Sequence, residues 1–81
     1  MLDKAARSRL EWHCRRGMLE LDLILNHFFK THIDDLNEDQ IQQFDQLLSY
    51  TDPELYSWLM GYEEPSIAEV VEIVRLIRNS N

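Results

Sequence analysis

Apolar residues recur along most of the chain with the three- and four-residue spacing of amphipathic helices. No stretch shows a sustained alternation of apolar and polar residues bounded by turn signals, so the pattern does not predict strands. The few glycines and prolines fall between the periodic segments and separate them. The pattern therefore predicts an all-α fold, a small bundle formed by one domain that spans residues 1–81. Its five short helices are predicted at residues 4–15, 18–31, 38–49, 53–60 and 67–78.

The second helix is predicted to lie at the centre of this bundle. Its main apolar stripe is formed by Met18, Leu21, Leu25 and Phe28. Further apolar residues widen the stripe beyond half of the helix circumference; they are Leu19, Leu23, Ile24 and Phe29. A helix that is apolar over so much of its surface usually packs against neighbours on several sides.

Capping signals mark the ends of several helices. A polar N-cap residue followed by a suitable partner precedes each of the last three, and the pairs are Asn37 with Gln40, Asp52 with Pro53, and Ser66 with Glu69. Gly17 follows the first helix, where glycine is the common residue for a left-handed C-terminal cap. These signals predict where the helices begin and end.

Charge is distributed unevenly along a chain whose net charge is −7. Residues 1–16 carry five cations against two acids, whereas residues 17–81 carry three cations against thirteen acids. The acidic total opposes nonspecific binding to nucleic acid, because that binding requires neutralisation of phosphates. A basic N-terminal segment on an acidic body indicates instead either an electrostatically oriented protein partner or a solvated helix face.

The side chains that could take part in catalysis or bind a metal ion do not form a catalytic or metal-binding pattern. The candidate metal ligands His13, Cys14, His27 and His32 match no structural zinc spacing. Cys14 lies on the apolar stripe of the first helix, where a small core residue is expected and a reactive thiolate is not. No glycine-rich phosphate loop is present, and no apolar run reaches the ~18 residues of a membrane span. We therefore predict a protein that is neither an enzyme nor a metal-binding protein.

The densest cluster of charge is residues 15–22, Arg-Arg-Gly-Met-Leu-Glu-Leu-Asp. Helix capping explains part of it, because cations offset the carbonyls at the end of one helix and acids offset the N–H groups at the start of the next. Each such placement is worth ~0.3–1 kcal/mol. Capping does not explain why Arg15 and Arg16 directly precede Gly17, or why Glu20 and Asp22 share the start of an apolar helix. The alternative explanation is that these charged residues are exposed to contact a protein partner.

Two segments resemble the signature of the SdhE-type FAD assembly factors of succinate dehydrogenase. The first is Arg-Gly-x-x-Glu, present here from Arg16 to Glu20. The second is Asp-Pro-Glu-Leu-Tyr-Ser-Trp-Leu at residues 52–59. Their spacing is similar to that of the family, and the resemblance covers roughly residues 4–78. It implies a five-helix bundle, in agreement with the periodicity.

The resemblance also implies a function and a binding site. Members bind the flavoprotein subunit of succinate dehydrogenase, and of the related fumarate reductase, and promote covalent attachment of FAD to a histidine of that partner. The implied partner-binding residues are Arg15, Arg16, Gly17, Glu20 and Asp22. The flavin chemistry then belongs to the partner, so we expect no cofactor to be bound stably by this chain.

Several further expectations follow. The motif begins too near the N-terminus for a mitochondrial presequence, which indicates a bacterial cytoplasmic protein, expected to be monomeric and neither inserted in a membrane nor bound to nucleic acid. Two alternatives to the assembly factor stay open. One is the antitoxin of a toxin–antitoxin pair, a label the family has also carried. The other is a generic helical interaction module in which the Arg-Gly-x-x-Glu motif serves only as a cap.

Overall fold

The computed structural model describes residues 3–80, which contain five α-helices, two short 3-10 turns and no strand. This confirms the predicted all-α fold. The helices are α1 Lys4–His13, α2 Leu19–His32, α3 Glu38–Leu47, α4 Asp52–Leu59 and α5 Val71–Ser80. The 3-10 turns are Ile33–Asp35, directly after α2, and Ala68–Val70, directly before α5. No helix within these residues is both long enough and apolar enough to cross a membrane.

The core is apolar throughout, and no polar or charged side chain in the described part of the chain is fully buried. Helix α2 packs against both α4 and α5 and contributes four buried residues, Leu21, Leu25, Phe28 and Phe29. Helix α5 packs against α2, α3 and α4, so the central position predicted for α2 is shared with α5. The apolar stripe is wider than the buried face of α2, since Leu19 and Leu23 are 69% and 61% exposed.

Helix α1 is attached to the rest of the bundle mainly at its C-terminal half. Leu10 is the buried residue of the helix, and Cys14 is buried directly after it. Two ion pairs on the surface also connect α1 to the bundle, Arg7 with Asp34 at 2.6 Å and Arg9 with Asp45 at 3.2 Å. Exposed pairs of this kind contribute about 0–1 kcal/mol each, so the position of α1 depends mostly on its apolar end and on the connection to α2.

The helix starts agree with the capping predictions in one case out of three. Asn37 and Gln40 form the predicted capping box, with mutual side-chain to backbone bonds of 2.8 and 3.0 Å. The prediction for α4 was wrong, because Thr51 is the N-cap and forms a capping box with Glu54. Asp52 is the first residue of α4, and its carboxylate is bonded to Arg16 instead.

The capping box predicted for the fifth helix is also absent from the described residues. Ile67 occupies the N-cap position of the 3-10 turn and makes no side-chain capping bond. The amide of Val70 closes the turn on the carbonyl of Ile67 at 3.2 Å. Ser66 therefore lies one residue too early to cap, and the α-helix proper begins at Val71.

The two glycines have different backbone conformations. Gly61, just after α4, has a φ of 82°, a left-handed value that favours glycine. Gly17 does not have a positive φ, so its predicted role as a left-handed cap was wrong. Helix α1 instead ends at His13 with Cys14 in right-handed geometry, and the amide of Arg15 bonds to the carbonyl of Trp12 at 3.1 Å. Gly17 lies four residues beyond that end, within the connection to α2.

Candidate protein-docking site

The side chain of Arg16 connects the α1–α2 junction to the segment between α3 and α4. Its Nε donates to Oδ1 of Asp52 at 2.8 Å. Its Nη1 donates to the carbonyls of Leu48 at 2.9 Å and His13 at 3.3 Å, and its Nη2 donates to the carbonyl of Tyr50 at 2.7 Å. The planar guanidinium presents five donors in a fixed fork, so most of its capacity is used inside the protein.

These bonds explain why Arg16 is only 14% exposed despite its charge. The carbonyls of Leu48 and Tyr50 lie after the end of α3, where helical hydrogen bonding no longer satisfies them. Arg16 supplies the missing donors and pairs with the first residue of α4. The predicted partner-binding role of Arg16 stays a prediction. Its guanidinium has a structural function that the sequence did not reveal.

Asp22 and Asn26 hold the junction from the α2 side. Oδ1 of Asp22 accepts from the backbone amide of Arg16 at 3.3 Å. The side-chain amide of Asn26 donates to the carbonyl of Cys14 at 3.4 Å and to the carbonyl and Oδ1 of Asp22 at 2.7 and 3.2 Å. The acid in the first turn of α2 thus bonds to the segment that precedes the helix. Asp22, like Arg16, is directed into the junction.

Arg15 differs from Arg16 in direction and in bonding. Its guanidinium lies over the ring of Trp12, 5.6 Å from the centroid, and donates no hydrogen bond to another residue within 3–80. Trp12 is itself 68% exposed, as its position off the apolar stripe of α1 predicts. The pair therefore forms an exposed cation–aromatic surface, whose guanidinium can still donate from its edge.

Glu20 is exposed on the first turn of α2 and lies near Tyr56 of α4. Its negative charge is the main cause of a raised pKa for the Tyr56 hydroxyl, and the neighbouring Tyr62 contributes further. The rings of Tyr56 and Tyr62 are 5.9 Å apart. The two sequence motifs therefore meet in space, since Arg16 is bonded to Asp52 and Glu20 lies near Tyr56, one helical turn further on.

Gly17 is exposed at the outside of this junction, and nothing inside the protein requires a glycine there. Its backbone is not left-handed. A Cβ atom added to it would lie 3.8 Å from Oδ2 of Asp52, which is an ordinary van der Waals contact. A requirement for glycine at this position therefore has to come from outside the chain, for example from a partner that approaches the backbone closely.

The exposed leucines of α2 extend the surface beside Gly17. Leu23 borders the same surface depression as Arg15, and Leu19 lies one turn before Leu23. We call the exposed set around the junction the corner face; it consists of Trp12, Arg15, Gly17, Leu19, Glu20 and Leu23. Sequence reasoning assigned both leucines to the core stripe. Leu19 and Leu23 are offset by two residues, about 200°, from the buried Leu21 and Leu25, which is the signal that they face outward.

The remaining candidates for chemistry do not form a second site. No group of three or more His, Cys, Asp or Glu side chains between residues 3 and 80 is arranged to hold a metal ion. Cys14 is fully buried, and burial raises the pKa of its thiol to about 12. A thiol with so high a pKa is protonated near neutrality and is a poor nucleophile.

Fold and site together define a small helical protein with a rigid, internally bonded junction and an exposed, partly apolar corner face. The family model described as flavinator of succinate dehydrogenase matches residues 8–81, and the chain belongs to this family.

Similar curated proteins carry the name FAD assembly factor SdhE. The protein from Legionella pneumophila strain Lens is 56% identical over 78 residues, which cover 96% of this chain and 98% of the relative. The protein from Yersinia pseudotuberculosis is 41% identical over 93% of this chain and 85% of the relative. That from Photorhabdus laumondii is 40% identical over 99% and 91%. The resemblance inferred from the two motifs is thereby confirmed, and these relatives are bacterial.

Proposed function

We propose that this protein binds the flavoprotein subunit of succinate dehydrogenase and promotes the covalent attachment of FAD to it. The observation that carries the proposal is the match of residues 8–81 to the flavinator family, within which the corner face and its supporting junction lie. Relatives that are named FAD assembly factors match over almost their full length.

The corner face is suited to docking because it is exposed and held in one geometry. Arg16 and Asp22 immobilise the junction through bonds to three neighbouring segments, so little conformational entropy remains to be lost there on binding. Gly17 offers an approach to the backbone, Leu19 and Leu23 offer apolar area, and Glu20 adds a charge that orients the partner.

Promotion of flavin attachment in this scheme requires no catalytic group in the assembly factor. A protein that binds one conformation of a flavoprotein more tightly than another raises the population of the first by its differential affinity. The covalent chemistry is then supplied by the flavin and by a side chain of the partner. The buried Cys14 thiol supports a non-enzymatic role, because its raised pKa keeps it protonated and poorly nucleophilic. We also propose that this chain does not bind FAD stably.

The same docking mode extends to the flavoprotein subunit of fumarate reductase, which we propose as a second client. We further propose a monomer that acts in the bacterial cytoplasm. A monomer leaves the corner face free for the client, whereas self-association through that face would compete for the same residues.

Coexpression tests the proposal directly. The flavoprotein subunit is produced with and without this protein, and covalently bound flavin is measured by its fluorescence in the denatured subunit. We expect the assembly factor to increase the flavin signal strongly. A Leu23→Ser variant, altered at an exposed position, is expected to fold normally by circular dichroism and to lose most of the increase. An equal flavin signal with and without the protein contradicts the proposed function.

A further inference from the structure

A groove beside the corner face combines three arginines with an exposed tryptophan. It lies between α1 and the C-terminal end of α3, has a volume of about 540 Å³ and is lined by Arg9, Trp12, Arg15, Arg16 and Asp45, among others. We call it the arginine groove. Arg16 is paired with Asp52 and Arg9 only loosely with Asp45, so within residues 3–80 Arg15 is the arginine of this lining without a carboxylate partner, on a chain whose net charge is −7. Such a surface attracts acidic groups and opposes basic ones.

We propose that the arginine groove binds an acidic peptide segment of the flavoprotein partner, as a contact separate from Gly17 and Glu20. This inference rests on the proposed function for the identity of the partner. The chemistry of the occupant is argued from the groove itself.

The arrangement of the cations favours an extended chain of acids over a compact anion. Arg9 lies within α1, whereas Arg15 lies two residues beyond the end of that helix, and both line a groove of about 540 Å³. A single phosphate group fills only a small part of that volume. An extended peptide places successive carboxylates several ångströms apart and can pair with the two arginines in turn, while Trp12 covers the chain between them.

The side chain of Asp45 shows that the arginine groove can hold a carboxylate. Its carboxylate accepts from Nη1 and Nη2 of Arg9 at 3.2 and 3.4 Å, which is long for bonds between charged groups. Both side chains are well exposed, so an incoming carboxylate can displace Asp45 at small cost. At the other end, the guanidinium of Arg15 lies over the ring of Trp12, 5.6 Å from its centroid, and retains its donors for a ligand.

The test compares two double variants that remove the same charge. Arg9→Gln with Arg15→Gln removes two cations from the groove, whereas Lys4→Gln with Arg75→Gln removes two exposed cations that do not line it. Affinity for the flavoprotein subunit is measured at low and high sodium chloride. We expect the groove variant to bind about tenfold more weakly at low salt and to show a smaller salt dependence, because screening acts on exposed charges. Equal losses in the two variants overturn the proposal.

A peptide titration separates this proposal from the proposed function. Hexaglutamate and inorganic pyrophosphate are titrated against the wild-type protein, with the emission of exposed Trp12 as the signal. Saturable binding of hexaglutamate that is lost in the groove variant supports an acidic-peptide site even if the flavoprotein subunit does not bind. Pyrophosphate binding as tight as that of the peptide overturns the peptide assignment in favour of a small-anion site. No response to hexaglutamate also overturns the proposal.

Discussion

Two arginines, Arg16 and Arg78, fix the two ends of α4 by the same chemistry. Arg16 comes from the α1–α2 junction and bonds to the segment before α4 and to its first residue. Arg78 comes from α5 and bonds to the last turn of α4 and to the segment after it. Its Nε donates to the carbonyl of Trp58 at 2.6 Å, its Nη2 donates to the carbonyl of Glu63 at 2.9 Å, and its Nη1 pairs with Glu64. Each guanidinium therefore donates to backbone carbonyls at or beyond the end of a helix.

The two ends differ in burial and in what surrounds them. The carboxylate that pairs with Arg16 is 29% exposed, whereas Glu64, which pairs with Arg78, is 57% exposed and also lies 3.5 Å from Arg75. Arg78 nevertheless lowers the pKa of Glu64 through their hydrogen bond. The corner face adjoins Arg16, but Arg78 belongs to neither recognised motif. An arginine in a recognition motif can thus stabilise the structure while neighbouring residues contact the partner.

Removal of Arg16 is expected to have the largest effect on stability. Arg16→Ala leaves Asp52 and the carbonyls of Leu48 and Tyr50 without their donor in a half-buried site. We expect a loss of about 2–4 kcal/mol in the free energy of unfolding, because charge-assisted bonds contribute ~1.5–3 kcal/mol each and are not additive. Urea unfolding measures the loss.

Two controls sharpen this prediction. Arg16→Lys keeps the charge but not the fork, so we expect it to restore less than half of the loss. Cys14 is buried beside Arg16, and its reaction with a thiol reagent should accelerate in Arg16→Ala as the junction opens. A variant with unchanged stability and unchanged labelling contradicts the structural role of Arg16.

Arg78→Ala is expected to cost less, about 1–2 kcal/mol, because its carboxylate partner is more exposed and remains hydrated when left alone. Binding of the flavoprotein subunit should be unchanged, since Arg78 lies outside the corner face. Calorimetric unfolding and affinity measured on the same sample check both statements. If Arg78→Ala abolishes binding without affecting stability, the comparison between the two arginines is wrong.

Glu20→Ala separates docking from helix capping. Removal of an exposed acid from the first turn of a helix costs ~0.3–1 kcal/mol, and Glu38→Ala in the first turn of α3 is the matched control. We expect similar small losses of stability in the two variants. Affinity for the flavoprotein subunit should fall only for Glu20→Ala. Equal affinities of Glu20→Ala and Glu38→Ala for the flavoprotein subunit would show that Glu20 acts only in helix capping.

The same variant tests the contact between the two motifs. Because the negative charge of Glu20 raises the pKa of Tyr56, its removal should lower that pKa towards the usual value of a tyrosine. Absorbance of tyrosinate during an alkaline titration measures the change, and Glu38→Ala should leave the titration unchanged. An unshifted titration in Glu20→Ala contradicts the proximity of Glu20 and Tyr56.

Local spacing predicted what depends on local physics. The helix periodicity and the capping box of Asn37 with Gln40 are set by residues within one or two turns, and both were found. The role of Asp52 was mispredicted although the signal is local, because Thr51 and Glu54 have the Thr-x-x-Glu spacing of a capping box. The direction of Arg16 escaped prediction for a different reason, since three of its four acceptors lie in the distant segment 48–52. Long-range polar contacts leave no periodic signal in a sequence.

Gly17→Ala has the smallest expected effect on stability and bears most directly on the docking site. Its φ is not left-handed, and the added methyl group meets an ordinary contact at 3.8 Å. Replacement of glycine at a compatible position stabilises a protein by ~0.4–1 kcal/mol, because the unfolded chain loses freedom. We therefore expect unchanged or slightly increased stability, together with weaker binding to the flavoprotein subunit.

Gly61→Ala is the matched opposite of this variant. Its φ of 82° is unfavourable for alanine and should cost about 1–2 kcal/mol, although the space around it is open. Binding measured on the folded fraction should be unaffected, because Gly61 lies outside the corner face. Should Gly17→Ala bind as tightly as the wild type, close approach to the backbone would be excluded, and recognition would be left to the side chains of Arg15, Leu19, Glu20 and Leu23.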